Sequence, residues 1–295
     1  MKYAAGIDGG GTKTRVCCRD LQGQTIAEKT FGAFNLNSIG AERFAELLTE
    51  ITTYLQSVGT CAALCIGTAG ISNETMSAMI GKALDQAGIM QRKLVGDHII
   101  ALHGALDGQP GIALIAGTGS ICFGISPAGE EIRAGGWGHL IGDEGSGYAL
   151  GRDALSAVAH AWDGYGEPTL LTNLLAETYG LDSRSKIISY VYAGDKSRMA
   201  AFSRLVEQAA AAGDDVALTI IQSNGEKLAQ QAEAVYRRLH MKEAPLAMLG
   251  GMLENETLLR SAFIRAMEHR CPAVHCIDSK HDACTGAVMM AQAML

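Results

Sequence analysis

The sequence predicts an α/β protein of two lobes, each built on the same strand-and-turn unit. A Gly-rich turn at residues 8–14 lies between two apolar runs, and a second Gly-rich turn at residues 117–120 lies between two more. In both places a further turn and a third strand-like segment follow. The length of 295 residues and the hydrophobic content of 48% also favour two lobes over a single domain.

The first lobe is expected to contain five strands and three helices. Short apolar runs bounded by turn residues predict the strands, at residues 3–7, 16–18, 25–31, 62–66 and 93–95. Apolar residues at helical spacing predict the helices, at residues 41–55, 73–87 and 99–106. Gly23 separates the second and third strands, and Gly88 follows the second helix, where glycine is a common stop signal.

The second lobe repeats the three-strand unit and then adds a long helical region. Its strands are predicted at residues 111–116, 121–125, 130–134, 246–249 and 273–277. Its helices are predicted at residues 148–162, 168–179, 183–192, 198–212, 216–240 and 254–267. A last helix, 282–294, contains small residues that permit close packing, and we place it against the first lobe. The expected lobes are therefore residues 1–108 with 281–295, and residues 109–280.

The composition restricts the possible partners. The net charge is -7 and no basic tract is present, which argues against sequence-independent nucleic-acid binding. No signal peptide precedes the first strand, and no apolar run reaches the roughly 18 residues that a membrane span needs. A cytoplasmic protein with a small-molecule partner is therefore expected.

The eight cysteines are scattered and include no C-x-x-C pair, which favours free thiols in a reducing compartment over a disulfide framework. The densest group of metal-binding residue types contains His269, Cys271, His275 and Cys276. This group spans a helix end, a proline and a short strand, and its spacing does not match that of zinc ligands. A metal ion is not expected there.

The turn at residues 8–14, with the sequence DGGGTKT, has the composition of a phosphate cradle. Glycines let backbone N–H groups approach an anion, and an acid at the end of a strand can hold a hydrated cation beside it. It is not a P-loop, because Thr12 stands between the glycines and Lys13 and a strand follows where a helix is required. The alternative is an ordinary Gly-rich hairpin. The second copy at residues 117–120 favours a nucleotide held by both lobes.

Two further glycine-rich segments follow. Residues 135–147 are too irregular for a strand or a helix, which predicts a shaped loop of the kind that often carries a site. Gly250 and Gly251 follow the strand at 246–249, where two glycines would admit a flat base or a ribose.

These segments together resemble the sugar-kinase, Hsp70 and actin superfamily. Residues 6–14, 117–120 and above all the Trp-containing loop 135–147 resemble the N-acetylglucosamine kinase family, which is related to the BadF/BadG/BcrA/BcrD ATPases and includes bacterial members that accept N-acetylmuramic acid. The resemblance covers nearly the whole chain. It implies an actin-like ATPase fold, of the ribonuclease H-like type, with a duplicated βββαβα core and a helical insertion in the second lobe.

The activity implied by the resemblance is ATP-dependent phosphorylation of the 6-hydroxyl of an amino sugar, with N-acetylglucosamine as the expected substrate and N-acetylmuramic acid or glucosamine as further candidates. Asp97 aligns with the catalytic base of the family, and a helix N-cap is the alternative role for this residue. Asp8 would hold Mg²⁺ through water. The family positions that bind ATP or its phosphates correspond to Asp8, Gly10, Gly11, Thr12, Lys13, Gly117, Thr118, Gly119, Ser120, Gly250 and Gly251. A homodimer is expected by analogy.

The sugar would be bound by Asn35, Gly136, Trp137 and Asp143. Each of the three side chains has an alternative explanation. Asn35 could be a turn asparagine, Trp137 could belong to the core, and Asp143 could be an acid at the start of a helix.

One departure from the family concerns the neighbours of Asp97. The family usually has Asn or Thr before this residue and Ala after it, whereas this chain has Gly96 and His98. The immediate surroundings of the expected base therefore differ from the family pattern. His98 and His103 are expected to lie on a helix surface.

Two other functions compete with the kinase. An ATPase that activates 2-hydroxyacyl-CoA dehydratases would need paired cysteines for an iron–sulfur cluster and should lack the Trp loop. A sugar-sensing transcriptional regulator would need a helix-turn-helix ahead of Gly6 and the zinc-binding cysteine motif of that group. Neither pattern is found in the sequence.

Overall fold

The computed structural model describes residues 1–295, which form two compact units. One unit contains Met1–Gln109 and Ser279–Leu295, and the other contains Pro110–Asp278. No helix is both long enough and apolar enough to cross a membrane.

The first unit is organised around a five-stranded mixed sheet. Its strands are β1 (Lys2–Gly9), β2 (Thr14–Asp20), β3 (Thr25–Phe31), β4 (Thr60–Thr68) and β5 (Arg92–Val95). The order across the sheet is β3-β2-β1-β4-β5, in which β1 pairs antiparallel with β2 and parallel with β4. The central strand β1 is almost entirely buried, and it delivers Asp8 to the carboxyl edge of the sheet.

Helices cover both faces of this sheet. They are α1 (Leu36–Ile39), α2 (Ala41–Val58), α3 (Glu74–Gln86), α4 (Asp97–Ala105) and, from the end of the chain, α12 (Ala283–Gln292). Side chains of α2 and α3 share one apolar core with β1 and β4. On the other face, α12 lies so close to the sheet that a Cβ added at Gly6 would be 2.4 Å from the backbone nitrogen of Val288. Glycine at this position is therefore required for the packing of α12.

The second unit contains a sheet of the same topology. Its strands are β6 (Gly111–Ala116), β7 (Ser120–Ile125), β8 (Glu131–Gly135), β9 (Ala244–Leu249) and β10 (Val274–Asp278). The order is β10-β9-β6-β7-β8, with β6 antiparallel to β7 and parallel to β9. Written from its other edge, as β8-β7-β6-β9-β10, this order corresponds strand for strand to β3-β2-β1-β4-β5 of the first sheet. The predicted duplication of the strand unit is therefore confirmed.

Helices between β8 and β9 form the predicted insertion, and one more helix follows β9. They are α5 (Gly147–Asp163), α6 (Leu171–Tyr179), α7 (Arg184–Tyr192), α8 (Lys196–Ala200), α9 (Ser203–Ala211), α10 (Asp215–Leu239) and α11 (Leu258–Arg270). The 25-residue helix α10 contributes eleven buried residues, many of them to the core of this unit.

Several helices differ from the sequence predictions in their bounds or in number. The helix expected from residue 168 begins at Leu171, because Asp214 accepts hydrogen bonds from the Thr169 hydroxyl and the Leu170 N–H and holds these two residues outside it. The helix expected from residue 254 begins at Leu258, where Thr257 caps it. The segment 198–212 contains two helices, α8 and α9, and the four-residue helix α1 is too short to produce a periodic pattern.

Candidate functional site

The first Gly-rich turn is held in place by its neighbours while its tip stays exposed. The Phe34 N–H donates to the Gly10 carbonyl at 2.9 Å, and the Thr68 hydroxyl donates to the Gly9 carbonyl at 3.0 Å. A Cβ at Gly9 would be 2.7 Å from the Phe34 ring, so only glycine fits there. Residues 11–13 at the tip are exposed. These supporting hydrogen bonds are accepted by the carbonyl groups of Gly9 and Gly10. The C=O and N–H of one peptide unit point in opposite directions, so the Gly11 N–H points away from Phe34.

Asp8 and Asp97 lie in the same part of the first unit. Burial raises the pKa of Asp8 above its usual value, and the negative charge of Asp97 raises it further, while Arg15 and Lys13 act in the opposite direction. The pKa of Asp97 is lowered, first by a hydrogen bond from the His98 side chain. Two neighbouring carboxyl groups are thus shifted in opposite directions, a pattern that often marks groups with different roles in a reaction.

Asp97 is the first residue of α4, and Gly96 occupies the N-cap position. The alternative role of Asp97, as the N-cap of a helix, is therefore wrong. Its Oδ1 accepts a hydrogen bond from the His98 N–H at 2.9 Å and lies 3.7 Å from the imidazole Nδ1. The Asp97 side chain is 51% exposed, so it is open to a bound molecule.

The unusual pair of neighbours around Asp97 has a steric explanation. A Cβ added at Gly96 would be 2.2 Å from Cε1 of the His98 ring. The imidazole therefore occupies the space that a side chain at position 96 would need. The glycine before Asp97 thus leaves room for the imidazole of the histidine after it.

Asn35 lies one residue beyond Phe34, whose backbone is bonded to the first turn. Its Oδ1 accepts hydrogen bonds from the Asn37 and Ser38 N–H groups at 3.0 and 3.3 Å, and it caps α1. Asn35 thus has the role of a turn asparagine, which was the alternative to sugar binding. This capping uses only the side-chain oxygen, and the amide Nδ2 remains a possible donor to a ligand.

The second Gly-rich turn rests on the N-terminus of α5. The Gly147 N–H donates to the Gly117 carbonyl at 2.8 Å, and the Tyr148 N–H donates to the Thr118 carbonyl at 3.3 Å. Because a carbonyl and the following N–H point in opposite directions, the Thr118 and Gly119 N–H groups are directed away from α5. This orientation is suited to binding an anion.

A cavity of about 820 Å³ adjoins this turn within the second unit. Gly117 and Thr118 line one side, and Gly251 lines another together with residues of α8 and α9. Gly250 has φ +84°, and a Cβ there would be 2.5 Å from the carbonyl of Ala116, so the glycine pair approaches the strand that leads into the turn. The structure thus brings together the second turn and the glycine pair that the sequence suggested for a base or ribose.

The loop at residues 135–147 is defined by left-handed backbone. Gly135, Gly136, Gly138 and Gly145 have positive φ, as does the non-glycine residue Asp143 at +62°. The left-handed backbone region is unfavourable for residues that have a Cβ, so Asp143 is one of the few strained residues in the chain.

The Asp143 carboxylate is buried against the second turn. The residue is 4% exposed, and Oδ2 is 2.8 Å from the position that a Cβ on Gly119 would occupy. Asp143 was expected among the sugar ligands, and the structure places it directly beside Gly119 of the turn. The suggestion that it is an ordinary acid at a helix start is wrong, since Ser146 is the N-cap of α5.

Trp137 lies on the surface, 66% exposed, so the core position considered for it is wrong. The Arg133 guanidinium lies over its ring at 5.5 Å from the ring centroid. The same loop exposes Leu140 and Ile141. An exposed indole held by a cation presents a flat apolar surface.

Two residues of the site region were missed by the sequence analysis. Asn224 and Gln231 are polar residues of α10 whose side chains hydrogen-bond to the backbone of the 135–147 loop, at Gly145 and Glu144. The sequence does contain one signal that points to Asn224. Asparagine and glycine are both unfavourable inside a helix, yet Asn224 and Gly225 are adjacent in the middle of a long one.

The described residues contain no group of three or more His, Cys, Asp or Glu side chains that could hold a metal ion. This includes the histidine and cysteine cluster near residue 271. All eight cysteines are free thiols.

Comparison with known proteins identifies relatives over the whole chain. The model of the BadF/BadG/BcrA/BcrD ATPase family matches residues 5–291. A curated N-acetylmuramic acid/N-acetylglucosamine kinase from Clostridium acetobutylicum is 35% identical over 302 residues, which cover 99% of each chain. A curated N-acetyl-D-glucosamine kinase from Dictyostelium discoideum is 28% identical and covers 97% of this chain and 96% of its own.

The solved structures give the same result for the fold. A crystal structure described as a candidate N-acetylglucosamine kinase from Chromobacterium violaceum matches with a TM-score of 0.76 at 28% identity, covering 99% of each chain. The predicted fold class, a two-lobed actin-like ATPase fold, is confirmed. These relatives do not favour the alternative of a dehydratase-activating ATPase.

Proposed function

We propose that this chain, which belongs to the BadF/BadG/BcrA/BcrD ATPase family, is an ATP-dependent kinase that transfers phosphate to the 6-hydroxyl of N-acetylglucosamine and also accepts N-acetylmuramic acid. The observation that carries the proposal is the pair Asp8 and Asp97, in which Asp8 begins the first phosphate turn and the charge of Asp97 raises its pKa, while the pKa of Asp97 itself is lowered. Full-length relatedness to curated amino-sugar kinases supports it.

Asp97 would act as the base that takes the proton of the sugar hydroxyl. Phosphoryl transfer through a loose transition state depends mainly on positioning and charge stabilisation, so the carboxylate must be ionised and correctly oriented. The lowered pKa keeps Asp97 ionised, and the His98 N–H fixes one of its oxygens. Its exposure leaves the other oxygen accessible to the acceptor.

The two Gly-rich turns would bind the phosphates of ATP. In the second turn, the Thr118 and Gly119 N–H groups point away from α5, and the neighbouring cavity of about 820 Å³ has the size of a nucleotide subsite. Gly250 and Gly251 would let the base or ribose approach the end of β6. We also propose that the two compact units correspond to the two lobes of the kinase.

Asp8 would hold Mg²⁺ through water. Its raised pKa reflects burial and excess negative charge, which a cation would offset. Mg²⁺ commonly keeps several water ligands and uses one or two carboxylates plus substrate phosphates, so a single aspartate without a protein cage fits this ion. The bound ion would supply charge neutralisation of the phosphate oxygens.

Asn35, Gly136, Trp137 and Asp143 would contact the sugar. Asn35 offers its Nδ2 group, Asp143 offers a carboxylate, and the Trp137 ring offers an apolar surface next to Gly138, where an added Cβ would meet nothing within 4 Å. A homodimer in the cytoplasm remains a prediction from the family resemblance.

The decisive experiment is a coupled ADP-release assay with ATP and Mg²⁺ across glucose, glucosamine, N-acetylglucosamine and N-acetylmuramic acid. We expect the highest kcat/KM with the two N-acetylated sugars. Phosphate on the 6-hydroxyl should be identified in the product by NMR. If none of the four sugars stimulated ADP release, the proposal would be wrong, and an iron assay would then test the alternative ATPase.

A further inference from the structure

The hydrogen bonds from side chains of helix α10 to the 135–147 loop converge on one peptide unit, the one that joins Glu144 to Gly145. The Gly145 N–H donates to Oδ1 of Asn224 at 3.0 Å. The Glu144 carbonyl accepts from the Ser120 hydroxyl at 2.7 Å and from Nε2 of Gln231 at 3.3 Å. Since both backbone groups belong to one planar unit, three side chains fix its orientation.

Asn224 is built to hold this position. It is fully buried, and its Nδ2 donates to Oδ2 of Asp153 and to the Ile220 carbonyl, both at 2.9 Å. These contacts assign the orientation of the amide, because its oxygen is then left to face Gly145. Asp153 in turn is paired with Arg152. The Gly145 N–H is thus connected through Asn224 to an ion pair on α5.

Gln231 contacts both ends of the loop. Besides its bond to the Glu144 carbonyl, its Oε1 lies 2.5 Å from the position of an added Cβ on Gly135. This oxygen is buried and has no hydrogen-bond partner. An apolar residue of the same length would remove this acceptor together with the Nε2 donor, so the two losses act on stability in opposite directions.

The fixed peptide unit lies next to the strained residue of the loop. Asp143 has φ +62° and Gly145 has φ +74°, and a Cβ on Gly145 would be 2.2 Å from Leu228 of α10. Asn224, Leu228 and Gln231 follow each other at helical spacing and so lie on one face of α10. Loss of the Asn224 and Gln231 contacts would leave the Ser120 hydroxyl as the side-chain hydrogen bond to this peptide unit, which weakens the restraint on the neighbouring residue Asp143.

We propose that Asn224 and Gln231 are positioning residues for the phosphoryl transfer, which hold the Glu144–Gly145 peptide and thereby keep Asp143 against the second phosphate turn. This inference rests on the proposed function, in which Asp143 binds the sugar. It predicts that changes at these two residues raise the KM for the sugar, whereas a loss of folded protein would lower only the apparent kcat.

The first test is Gln231→Met. This variant removes the donor to Glu144 and also removes the unpartnered oxygen, while keeping the length of the side chain. We expect a nearly unchanged Tm together with a KM for N-acetylglucosamine raised about 10-fold, because misplacing a binding group by ~1 Å costs up to 10²-fold. Hydrogen exchange followed by mass spectrometry should show faster exchange in the 135–147 loop. An unchanged KM would overturn the role of Gln231.

The second test exchanges the donor and the acceptor in the hydrogen bond between Asn224 and Asp153. Asn224→Asp places two carboxylates face to face, and we expect a large rise in sugar KM. Adding Asp153→Asn restores a donor opposite the new acceptor. The kcat/KM of the double variant should therefore be at least 10-fold higher than that of Asn224→Asp alone. Additive effects of the two changes would overturn the inference, since they would show that the contact itself is unimportant.

A matched control is Glu233→Gln on the same helix. Glu233 is 7% exposed and is paired with Arg237 and Arg270, and the structure gives it no contact with the loop. We expect a lower Tm with an unchanged sugar KM. An equal rise in KM in this variant would overturn the assignment of positioning to Asn224 and Gln231. Wild-type protein without sugar-dependent ADP release would instead refute the proposed function itself.

Discussion

Gly119→Ala is the smallest change that should separate Asp143 from the second phosphate turn. The new methyl carbon would lie 2.8 Å from Oδ2 and 3.1 Å from Cγ of Asp143, whereas ordinary contacts begin near 3.4 Å. Gly119 has no positive φ, so alanine introduces no backbone strain. With ATP saturating, so that any effect on phosphate binding at this turn is compensated, the effect of the substitution on the sugar should pass through the displaced carboxylate.

The size of the effect follows from this overlap. The carboxylate must retreat by about 0.6 Å to restore ordinary contact, and a misplacement of ~1 Å at a reacting centre can cost about 10²-fold in rate. We expect kcat/KM for N-acetylglucosamine to fall about 10-fold or more. The stability cost should be ~1 kcal/mol, the lower end for overpacking, because a side chain yields more easily than backbone.

The assay is the coupled ADP-release measurement with the sugar varied at saturating ATP, combined with thermal unfolding. Gly81→Ala provides the control, because Gly81 lies in α3 without positive φ and its added Cβ would meet only Nη2 of Arg92 at 3.9 Å. This control should gain roughly 0.5–1 kcal/mol of stability from helix propensity and keep its kinetics. A kcat/KM for Gly119→Ala within twofold of wild type would refute the importance of the contact between Asp143 and the turn.

Three further predictions concern the first unit. Asp97→Asn should lower kcat by roughly 10²-fold or more with an unchanged Tm, because the residue is exposed and acts as the base, and near-wild-type turnover would remove it from that role. His98→Ala should raise the pKa of Asp97, because His98 lowers it, so the acid limb of the kcat/KM profile should move to higher pH. An unmoved limb would show that Asp97 does not control it. Asp8→Asn should raise the Mg²⁺ concentration for half-maximal activity about 10-fold, as measured by Mg²⁺ titration at fixed ATP, and an unchanged requirement would place the ion elsewhere.

The strands and turns were predictable because their signals are local. The strand Thr25–Phe31 and the strand Gly111–Ala116 have the predicted bounds, and both Gly-rich turns lie at strand ends as expected. Repetition of the same short pattern was enough to indicate the duplicated sheet, because strand order in such a unit follows from its hairpin and crossover connections.

The helix starts were less predictable because caps from distant residues decide them. Glu207 accepts hydrogen bonds from the Leu258 and Leu259 N–H groups at 2.8 and 3.1 Å, which fixes the beginning of α11 across a separation of about fifty residues. Apolar periodicity alone extended this helix back to residue 254. A pattern within one segment does not contain such a partner.

The site shows the same division between local and distant information. The composition of the turn suggested a role for Asp8, and the family resemblance suggested roles for Asp97 and Asp143, but neither revealed the surroundings of these residues. The imidazole of His98 fills the space beside Gly96, and the carboxylate of Asp143 fills the space beside Gly119. In both cases the space beside a glycine is occupied by the side chain of another residue, which a single sequence does not reveal.

The position of Asp143 depends on two segments distant in sequence, the second Gly-rich turn and α10. Gly119 leaves room for its carboxylate, Ser120 holds the carbonyl of the next residue, and α10 holds the peptide that follows. A conformation with φ +62° persists only where surrounding contacts outweigh its strain. The helical insertion therefore does more than enlarge the second unit, because α10 stabilises the strained conformation of the loop. If this reasoning is correct, changes on the loop-facing side of α10 alter catalysis, whereas changes on its other side alter only stability.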